Sequence, residues 1–310
     1  MTFFKNHAGF NITGDKIQLV EIDFKESDNS GEQAGFYLEN VDEEFFNEFL
    51  DFSFPETKII NILQSTFNEL ILRKPLETNF VSFSLPDSFF KIFNIPIDSK
   101  ITNKDLSDHL KWEVSLLYPD NNPDDFIIRH IERTKDLDSN VNNAVVFSVN
   151  KKHLKVIHKF CVRNNLILKF VDNAHIAADT FLTNLPIDNH TASILLDEKY
   201  FSVSIIDKNG LEFFMSLQIN SINDFLHKLK QEIDILPYFK EGKLNKEIYL
   251  SGSFASENLL NKLREITNYN FILLNPFEKI KISPELNKED LVHKKFYSFS
   301  SAAGIALRLI

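Results

Sequence analysis

The sequence feature that most constrains the fold is a unit of short strands joined by tight turns, which occurs twice and far apart in the chain. The first copy covers residues 9–38 and contains the turn Thr13-Gly14-Asp15. The second covers residues 193–217 and contains the turn Lys208-Asn209-Gly210. Apolar residues alternate along both copies, as they do in strands with one buried face. The copies share this pattern but not their sequence, so the pattern suggests two similar halves without establishing a duplication.

Helical periodicity fills the regions between and after these units. Thr102 is the expected N-cap of the helix at residues 102–117, and Pro119 ends that helix. Asn165 is expected to adopt a left-handed conformation after the helix at residues 151–164. Small residues in the last helix allow it to press close to a sheet. The order of segments predicts a mixed α/β chain of two similar halves, with an insertion in the first. The predicted helices cover residues 56–74, 102–117, 151–164, 222–239, 256–267 and 300–309.

One segment near the C-terminus has the form of a nucleotide-binding element. The stretch EIYLSGSFASENLLNKL at residues 247–263 predicts a strand, a turn at Ser251-Gly252-Ser253 and a helix capped by Ser256. A strand that ends in a glycine turn before a helix is where α/β proteins often hold a phosphate or an adenine. Gly252 is therefore a candidate ligand-binding residue.

Charge and composition exclude several classes of function. The formal net charge of -10 argues against a nucleic-acid-binding protein, which needs a basic face. The single cysteine, Cys161, excludes an internal disulfide and is typical of a reducing compartment. The N-terminus is too polar for a signal peptide, and no apolar run reaches the roughly 20 residues that a membrane-spanning helix needs. We therefore expect a cytoplasmic protein without direct membrane insertion.

Common catalytic motifs are absent from the sequence. It contains no HExxH, GxSxG or Walker motif. His153 and His158 are five residues apart and would not share one face of a helix, so we predict no metal site. Sequence motifs of this kind thus point to no enzyme.

Seven segments in the same order resemble the type IV pilus assembly protein PilM family. The most telling are the helix DLSDHLKWEVSLLYP, which contains Trp112-Glu113 and ends at Pro119, and the Asn-Pro-Phe segment that begins at Asn275. The resemblance covers most of the chain, although no single motif is specific. The similar segments are residues 9–22, 84–96, 105–119, 145–182, 247–263, 275–286 and 301–308.

The resemblance implies an actin-like ATPase fold, in which two ribonuclease-H-like halves enclose a nucleotide cleft. It places the first half at residues 1–185 and a small inserted α+β subdomain at about residues 79–168. The second half, at residues 186–297, has a reduced outer subdomain, since few residues follow Asn220-Ser221 before the next helix. The C-terminal helix, residues 298–310, is expected to pack back on the first half.

The resemblance also implies where a nucleotide would bind, and the first hairpin departs from the family pattern. The family's Asp, Gly and Lys fall on Asn11, Thr13 and Gln18, and Gly14 is displaced by one residue. An Asn side chain lacks the negative charge that attracts Mg²⁺. This hairpin therefore lacks the groups that an active member uses.

The other two turns are also incomplete. Asp197 matches the family's Asp in the second hairpin, but Lys199 stands where a glycine belongs. In the third turn Gly252 fits, and Ser253 replaces the second glycine. Only eight glycines occur in the chain, and since ordinary turns need several of them, few are left for three phosphate or adenosine loops. We predict a degenerate ATPase that is not an enzyme, with no catalytic residue and no cofactor.

Our first hypothesis is a PilM-like pseudo-ATPase that acts as a cytoplasmic scaffold in a bacterial type IV pilus or related secretion apparatus. By resemblance, its partner is the N-terminal peptide of an inner-membrane PilN-like protein, which would hold the chain at the membrane periphery. The peptide would pack between the inserted subdomain and the first half, where the candidate residues are Phe89, Phe93, Trp112 and Leu116. Self-association is left open.

Two alternatives remain. The chain could be an actin-like protein that still binds or hydrolyses ATP with Mg²⁺ in an altered pocket, a hypothesis that Asp197 and Gly252 support best. It could also belong to a type II secretion or cell-division apparatus. A division protein of this fold usually ends in a basic amphipathic helix, which residues 306–310 do not form, so division ranks low.

Overall fold

The computed structural model describes residues 6–26, 34–98, 100–132, 141–183, 190–240, 244–288 and 290–308. Within these ranges the strands form three sheets. The strands are β1 (His7–Ile12), β2 (Lys16–Lys25), β3 (Gly35–Phe45), β4 (Phe80–Leu85), β5 (Phe90–Asp98), β6 (Phe126–Glu132), β7 (Val141–Asn150), β8 (Ile167–Asn173), β9 (His190–Leu196), β10 (Tyr200–Asp207), β11 (Gly210–Gln218), β12 (Leu244–Ser251), β13 (Asn270–Leu273) and β14 (Lys281–Ile282). The helices are α1 (Glu56–Arg73), α2 (Asn103–Leu117), α3 (Lys151–Arg163), α4 (Ala174–Ala178), α5 (Thr180–Thr183), α6 (Ile222–Ile235), α7 (Pro237–Lys240), α8 (Glu257–Ile266), α9 (Asp290–His293) and α10 (Ser300–Ala306).

The two large sheets have the same topology. The first has the order β14-β3-β2-β1-β4-β8 and the second the order β11-β10-β9-β12-β13. In each, an antiparallel meander of three strands is followed by two strands that lie parallel to the first strand of the meander. β14 adds one short strand to the edge of the first sheet. The repeated unit seen in the sequence is thus the meander of two similar halves, and that prediction of the fold is confirmed.

The first sheet is covered on both faces, which explains why β1 is buried at every position. On one face, Phe10 and Ile12 pack with α1 residues such as Leu63 and with Ile157 of α3. On the other face, Val20 and its neighbours pack against α10. Strands covered on both faces read as nearly continuous apolar runs.

The small residues of α10 allow it to lie directly on the first sheet and on α4. A Cβ atom at Gly9 of β1 would overlap the Ala302 carbonyl oxygen, and one at Gly304 would overlap the Ala177 carbonyl oxygen. The C-terminal helix therefore contacts the first half of the chain. Residues 309–310 lie outside the described residues.

The insertion lies between β4 and α3 and forms the three-stranded sheet β5-β7-β6 with α2. The side chain of Thr102 caps α2 by accepting a hydrogen bond from the Asp105 N–H, as expected for a helix N-cap. Leu106, Leu110 and Val114 form the buried face of this helix. The insertion thus has a small core of its own.

The structure corrects one helix prediction. The segment at residues 222–239 is two helices, since α6 ends at Ile235 and α7 begins at Pro237. A proline has no N–H to donate, so it starts a helix more readily than it continues one. Only a short connection separates Gln218, the end of β11, from the start of α6. No helix in the described part of the chain is long and apolar enough to cross a bilayer.

Candidate functional site

A cleft lies where the two halves meet, at the turns that the sequence singled out. The β1–β2 hairpin, the β9–β10 hairpin and the turn after β12 line a cavity of about 360 Å³ together with the segment after β3. The residues lining it are Thr13, Gly14, Asp15, Phe49, Leu50, Asp51, Phe52, Ser53, Pro86, Ser88, Phe89, His153, Asp197, Glu198, Lys199, Tyr200, Ser253 and Phe254. Asn11, Gln18 and Gly252 are not among them.

Asn11 and Gln18 are buried and bonded to each other. Asn11 Nδ2 donates to Gln18 Oε1 over 3.1 Å, and Asn11 Oδ1 accepts from Ser84 Oγ over 2.9 Å. Gln18 Nε2 lies 3.2 Å from Glu43 Oε2 and 3.3 Å from Ser298 Oγ. These side chains therefore satisfy one another inside the first half, as buried polar groups must.

The turn of the first hairpin is closed internally and covered from outside. Thr13 Oγ donates to Asp15 Oδ1 over 2.6 Å, which tightens the turn. The ring of Phe49 lies against Gly14 so closely that a Cβ atom there would overlap it. The Leu50 N–H donates to the Gly14 carbonyl over 2.7 Å and fastens the covering segment to the turn. No pattern in the sequence predicted this cover, because Phe49 lies 35 residues beyond Gly14 in a stretch without periodicity.

The second hairpin places Asp197 in the cleft. Burial raises the pKa of Asp197 to about 6, and the charges of Asp87 and Asp15 act in the same direction, while the Ser253 N–H stabilises the carboxylate. The ammonium of Lys199 does not approach this carboxylate in an ion pair; its Nζ lies 4.1 Å from the centroid of the Phe49 ring. The two residues thus face different surroundings.

The third turn is bound tightly to the second sheet. Gly252 has φ of +103°, and its N–H donates to the Tyr297 carbonyl over 3.1 Å. A Cβ atom at Gly252 would overlap the Leu196 carbonyl oxygen. Only glycine, which has no Cβ atom, therefore allows the turn to approach β9 this closely. Ser253 contributes a buried Oγ that has no hydrogen-bond partner within the described ranges.

Three rings close one end of the cavity. The centroids of Phe52 and Phe89 are 4.4 Å apart, and those of Phe52 and His153 are 5.3 Å apart. Burial lowers the pKa of His153, which keeps its ring neutral near pH 7. A groove of about 410 Å³ continues beyond these rings between α1 and α3. It is lined by Phe52, Ser53, Phe54, Glu56, Ile59, Lys152, His153, Lys155 and Val156.

The four candidate partner-binding residues lie in different surroundings. Phe89 belongs to the ring cluster of the cleft, and Phe93 packs on the core of the insertion. Trp112 and Leu116 are 54% and 55% exposed on α2, because Leu110 and Val114 turn the opposite face of that helix inward. Phe89 therefore contributes to a different surface from the outer face of α2.

A buried polar seam joins the two halves beside the cleft. His175, next to the N-terminus of α4, lies 2.8 Å from Ser202 Oγ and 2.7 Å from Ser193 Oγ. Asp179 accepts from Ser193 Oγ over 2.5 Å and from Ser204 Oγ over 2.6 Å. Burial raises the pKa of Asp179 to about 7 and lowers that of His175 to about 4. The serines at alternate positions of apolar strands were the only signal of this seam in the sequence.

One group of metal-type side chains lies away from the cleft. Ligand atoms of His190, Asp207 and Glu212 lie within 4.8 Å of one another. They stand at the opposite ends of β9 and β10 from Asp197, about 20 Å away at the usual rise of a strand. Asp207 accepts from the Asn209 N–H and side-chain amide over 2.7 and 3.0 Å, so turn formation already engages its carboxylate.

Two similar halves that face each other across these turns define an actin-like ATPase fold. In the solved PilM–PilN type IV pilus biogenesis complex, one chain matches with a TM-score of 0.78 and 16% identity, over 97% of this chain and 98% of that chain. A protein of actin-like ATPase fold and unknown function from Bacteroides thetaiotaomicron matches with a TM-score of 0.50 and 13% identity, over 89% and 94%. No protein-family model and no curated protein matches the chain. The resemblance to PilM seen in the sequence thus extends to the fold.

Proposed function

We propose that this chain is a PilM-like scaffold that acts by binding a partner protein and does not hydrolyse ATP. The observation that carries the proposal is the cover on the first hairpin. Phosphates bound at such a turn need its backbone groups within reach, and the Phe49 ring takes up the space above Gly14. Asn11 and Gln18, at the positions of the family's Asp and Lys, are engaged with each other. No residue of the cleft is assigned a catalytic role, and no cofactor is proposed.

The charge of the residues that line the cavity also supports the proposal that this chain does not hydrolyse ATP. Asp15, Asp51, Asp197 and Glu198 line it, whereas Lys199 is the one ammonium group on its walls among the described residues. A polyphosphate would meet more negative than positive charge in the cleft, and like charges repel. The cavity therefore disfavours a nucleotide.

The proposed partner is the N-terminal peptide of an inner-membrane PilN-like protein, in a bacterial pilus or related secretion apparatus. The fold supports this assignment, because the similar chain was solved in a PilM–PilN complex. Such a partner would hold the protein at the cytoplasmic side of the inner membrane. The groove between α1 and α3 has the apolar floor that a bound peptide needs, with Phe52, Phe54 and Val156 among its lining residues.

A titration of fluorescent N-terminal peptides of PilN-like proteins from the same genome tests the proposal. We expect micromolar binding, a loss of about tenfold in Phe54→Ala, and no change in Leu72→Ala, whose side chain is 79% exposed at the end of α1. Trp112→Ala and Leu116→Ala report whether the exposed face of α2 takes part. The absence of binding at high micromolar concentration to every peptide would refute the partner.

The alternative function, ATP binding in an altered pocket, is favoured by the position of Asp197 on the cavity wall. Calorimetry with Mg-ATP separates the two proposals. Our proposal expects no binding heat. A saturable heat that disappears in Asp197→Ala would overturn it in favour of the alternative.

A further inference from the structure

The cavity in the cleft is lined by an unusual combination of charged and aromatic side chains. In the part of the chain that the structure describes, four carboxylates and one ammonium group line it, together with the rings of Phe49, Phe52, Phe89 and Phe254. Its volume of about 360 Å³ lies within the range of small-molecule sites in proteins. Negative charge combined with aromatic faces is the chemistry that proteins use to bind organic cations, through ionic and cation–π attraction.

One ring of the cavity already binds a cation from the chain itself. Lys199 Nζ lies 4.1 Å from the centroid of Phe49, close enough for a cation–π contact. Both side chains lie at the mouth, where Phe49 is 45% exposed. This contact shows that a positive charge is accommodated at this place in the cleft.

The inner wall offers polar atoms that the protein does not use. Ser253 Oγ and His153 Nδ1 are buried atoms without a hydrogen-bond partner within the described ranges, and both residues line the cavity. An unpaired buried polar atom costs about 1–3 kcal/mol. Asp197, beside Ser253, is held near two further carboxylates, Asp15 and Asp87. A ligand carrying N–H donors and a positive charge would satisfy Ser253 Oγ and the Asp197 carboxylate together.

We propose that this cavity binds a small organic cation with a flat or apolar body, such as an amidinium or a guanidinium. The charged end lies at Asp197 and donates to the carboxylate and to Ser253 Oγ. The apolar body lies among Phe52, Phe89 and the neutral ring of His153, which form a packed cluster at one end of the cavity.

A metal ion fits the cleft less well than an organic cation. Within the described ranges, the cleft carboxylates do not form a group of three ligand atoms within 4.8 Å, unlike His190, Asp207 and Glu212. A single ion needs its oxygen ligands within bonding distance of one point. A cation with a body of several atoms can reach separated carboxylates and rings.

Calorimetric titration of the purified chain with benzamidine, benzamide and benzoate tests the proposal. The three probes have nearly the same shape, and they are cationic, neutral and anionic at pH 7.5. We expect benzamidine to bind at least tenfold more tightly than benzamide, and benzoate not to bind. Asp197→Asn should weaken benzamidine at least tenfold, whereas Asp120→Asn, an equal loss of charge in the exposed turn after α2, should not.

Lys199→Met gives the sharpest discrimination, because it removes the competing ammonium group. It should tighten benzamidine binding, whereas it would weaken a phosphate ligand. Equal affinity for benzamidine and benzamide, or unchanged binding in Asp197→Asn, would overturn the proposal. Failure of the peptide titration leaves this result untouched, because the proposal does not rest on the scaffold function.

Discussion

The ring of Phe49 lies on Gly14, with no room between them for a side-chain carbon. The corresponding turn approaches phosphates in related folds, whereas here an aromatic ring from the same chain packs on it. Two backbone hydrogen bonds, from Phe46 N–H to Asp15 and from Leu50 N–H to Gly14, hold the covering segment in place. The cover is therefore part of the folded structure of the first half.

We expect Gly14→Ala to destabilise the protein by about 1 kcal/mol, because the new methyl group displaces the Phe49 ring and its contact with Lys199. In a Phe49→Ala background the same substitution should be close to neutral. Urea unfolding of both single variants and the double variant measures this coupling. Additive free energies would show that the ring does not rest on the turn.

Gly252→Ala should destabilise the protein more than Gly210→Ala. Both glycines have positive φ, of +103° and +123°, so an alanine at either position costs about 1–2 kcal/mol of backbone strain. Only Gly252 also faces a backbone carbonyl, that of Leu196, which cannot move aside as a side chain can. Nothing lies within 4 Å of a Cβ at Gly210. Equal losses of unfolding free energy would contradict the close approach of this turn to β9.

The polar seam predicts a specific pH dependence. In the folded state the pKa of Asp179 is about 7, raised from 3.8, and that of His175 is about 4, lowered from 6.5. Between about pH 4 and 6.5, folding adds a proton to the aspartate and removes one from the histidine, so their effects on stability oppose each other.

Asp179→Asn leaves only the titration of His175, which lowers the free energy of unfolding as the pH falls from 6.5 towards 4. Relative to the original chain, the variant should therefore lose stability in acid, by at most about 1.4 kcal/mol per pH unit. Urea unfolding at a series of pH values measures the difference, with Asp120→Asn as the matched control. A difference that does not vary with pH would contradict the assigned titrations.

Glu21 lies fully buried in β2 and should contribute more to stability in mild acid than at neutral pH. Burial raises its pKa from 4.5 to about 7, against the hydrogen bonds that it accepts from Glu77 and Thr78. The stability associated with its neutral form is present below pH 4.5 and is lost as the pH rises through about 7.

Glu21→Gln removes this titration. As the pH rises from 4.5 to 7, the free energy of unfolding of the variant should therefore increase relative to that of the original chain, by at most about 3 kcal/mol. Unfolding by urea at pH 5 and pH 7.5 tests the prediction. A constant difference between the two proteins at both pH values would show that Glu21 titrates normally.

The sequence predicted the meanders and most helices because their signals are local. Alternation along residues 9–22 and the N-cap at Thr102 can be read within a few neighbouring residues. Asn165 has φ of 56° and confirms the left-handed residue expected after α3. The helix at residues 222–239 was wrong, because its apolar spacing continues past Pro237 while its backbone hydrogen bonding does not.

From the sequence by itself we predicted incomplete nucleotide motifs, since the resemblance to the PilM family puts Asn11, Lys199 and Ser253 at positions where the family has other residues. Only the tertiary structure decided which side chains contact these turns. Phe49 reaches Gly14, and His175 reaches Ser193, across separations in the chain that no local pattern records. Such contacts arise when sheets and helices pack, because packing brings together side chains whose positions depend on the whole fold. The chemistry of the cleft follows from that packing.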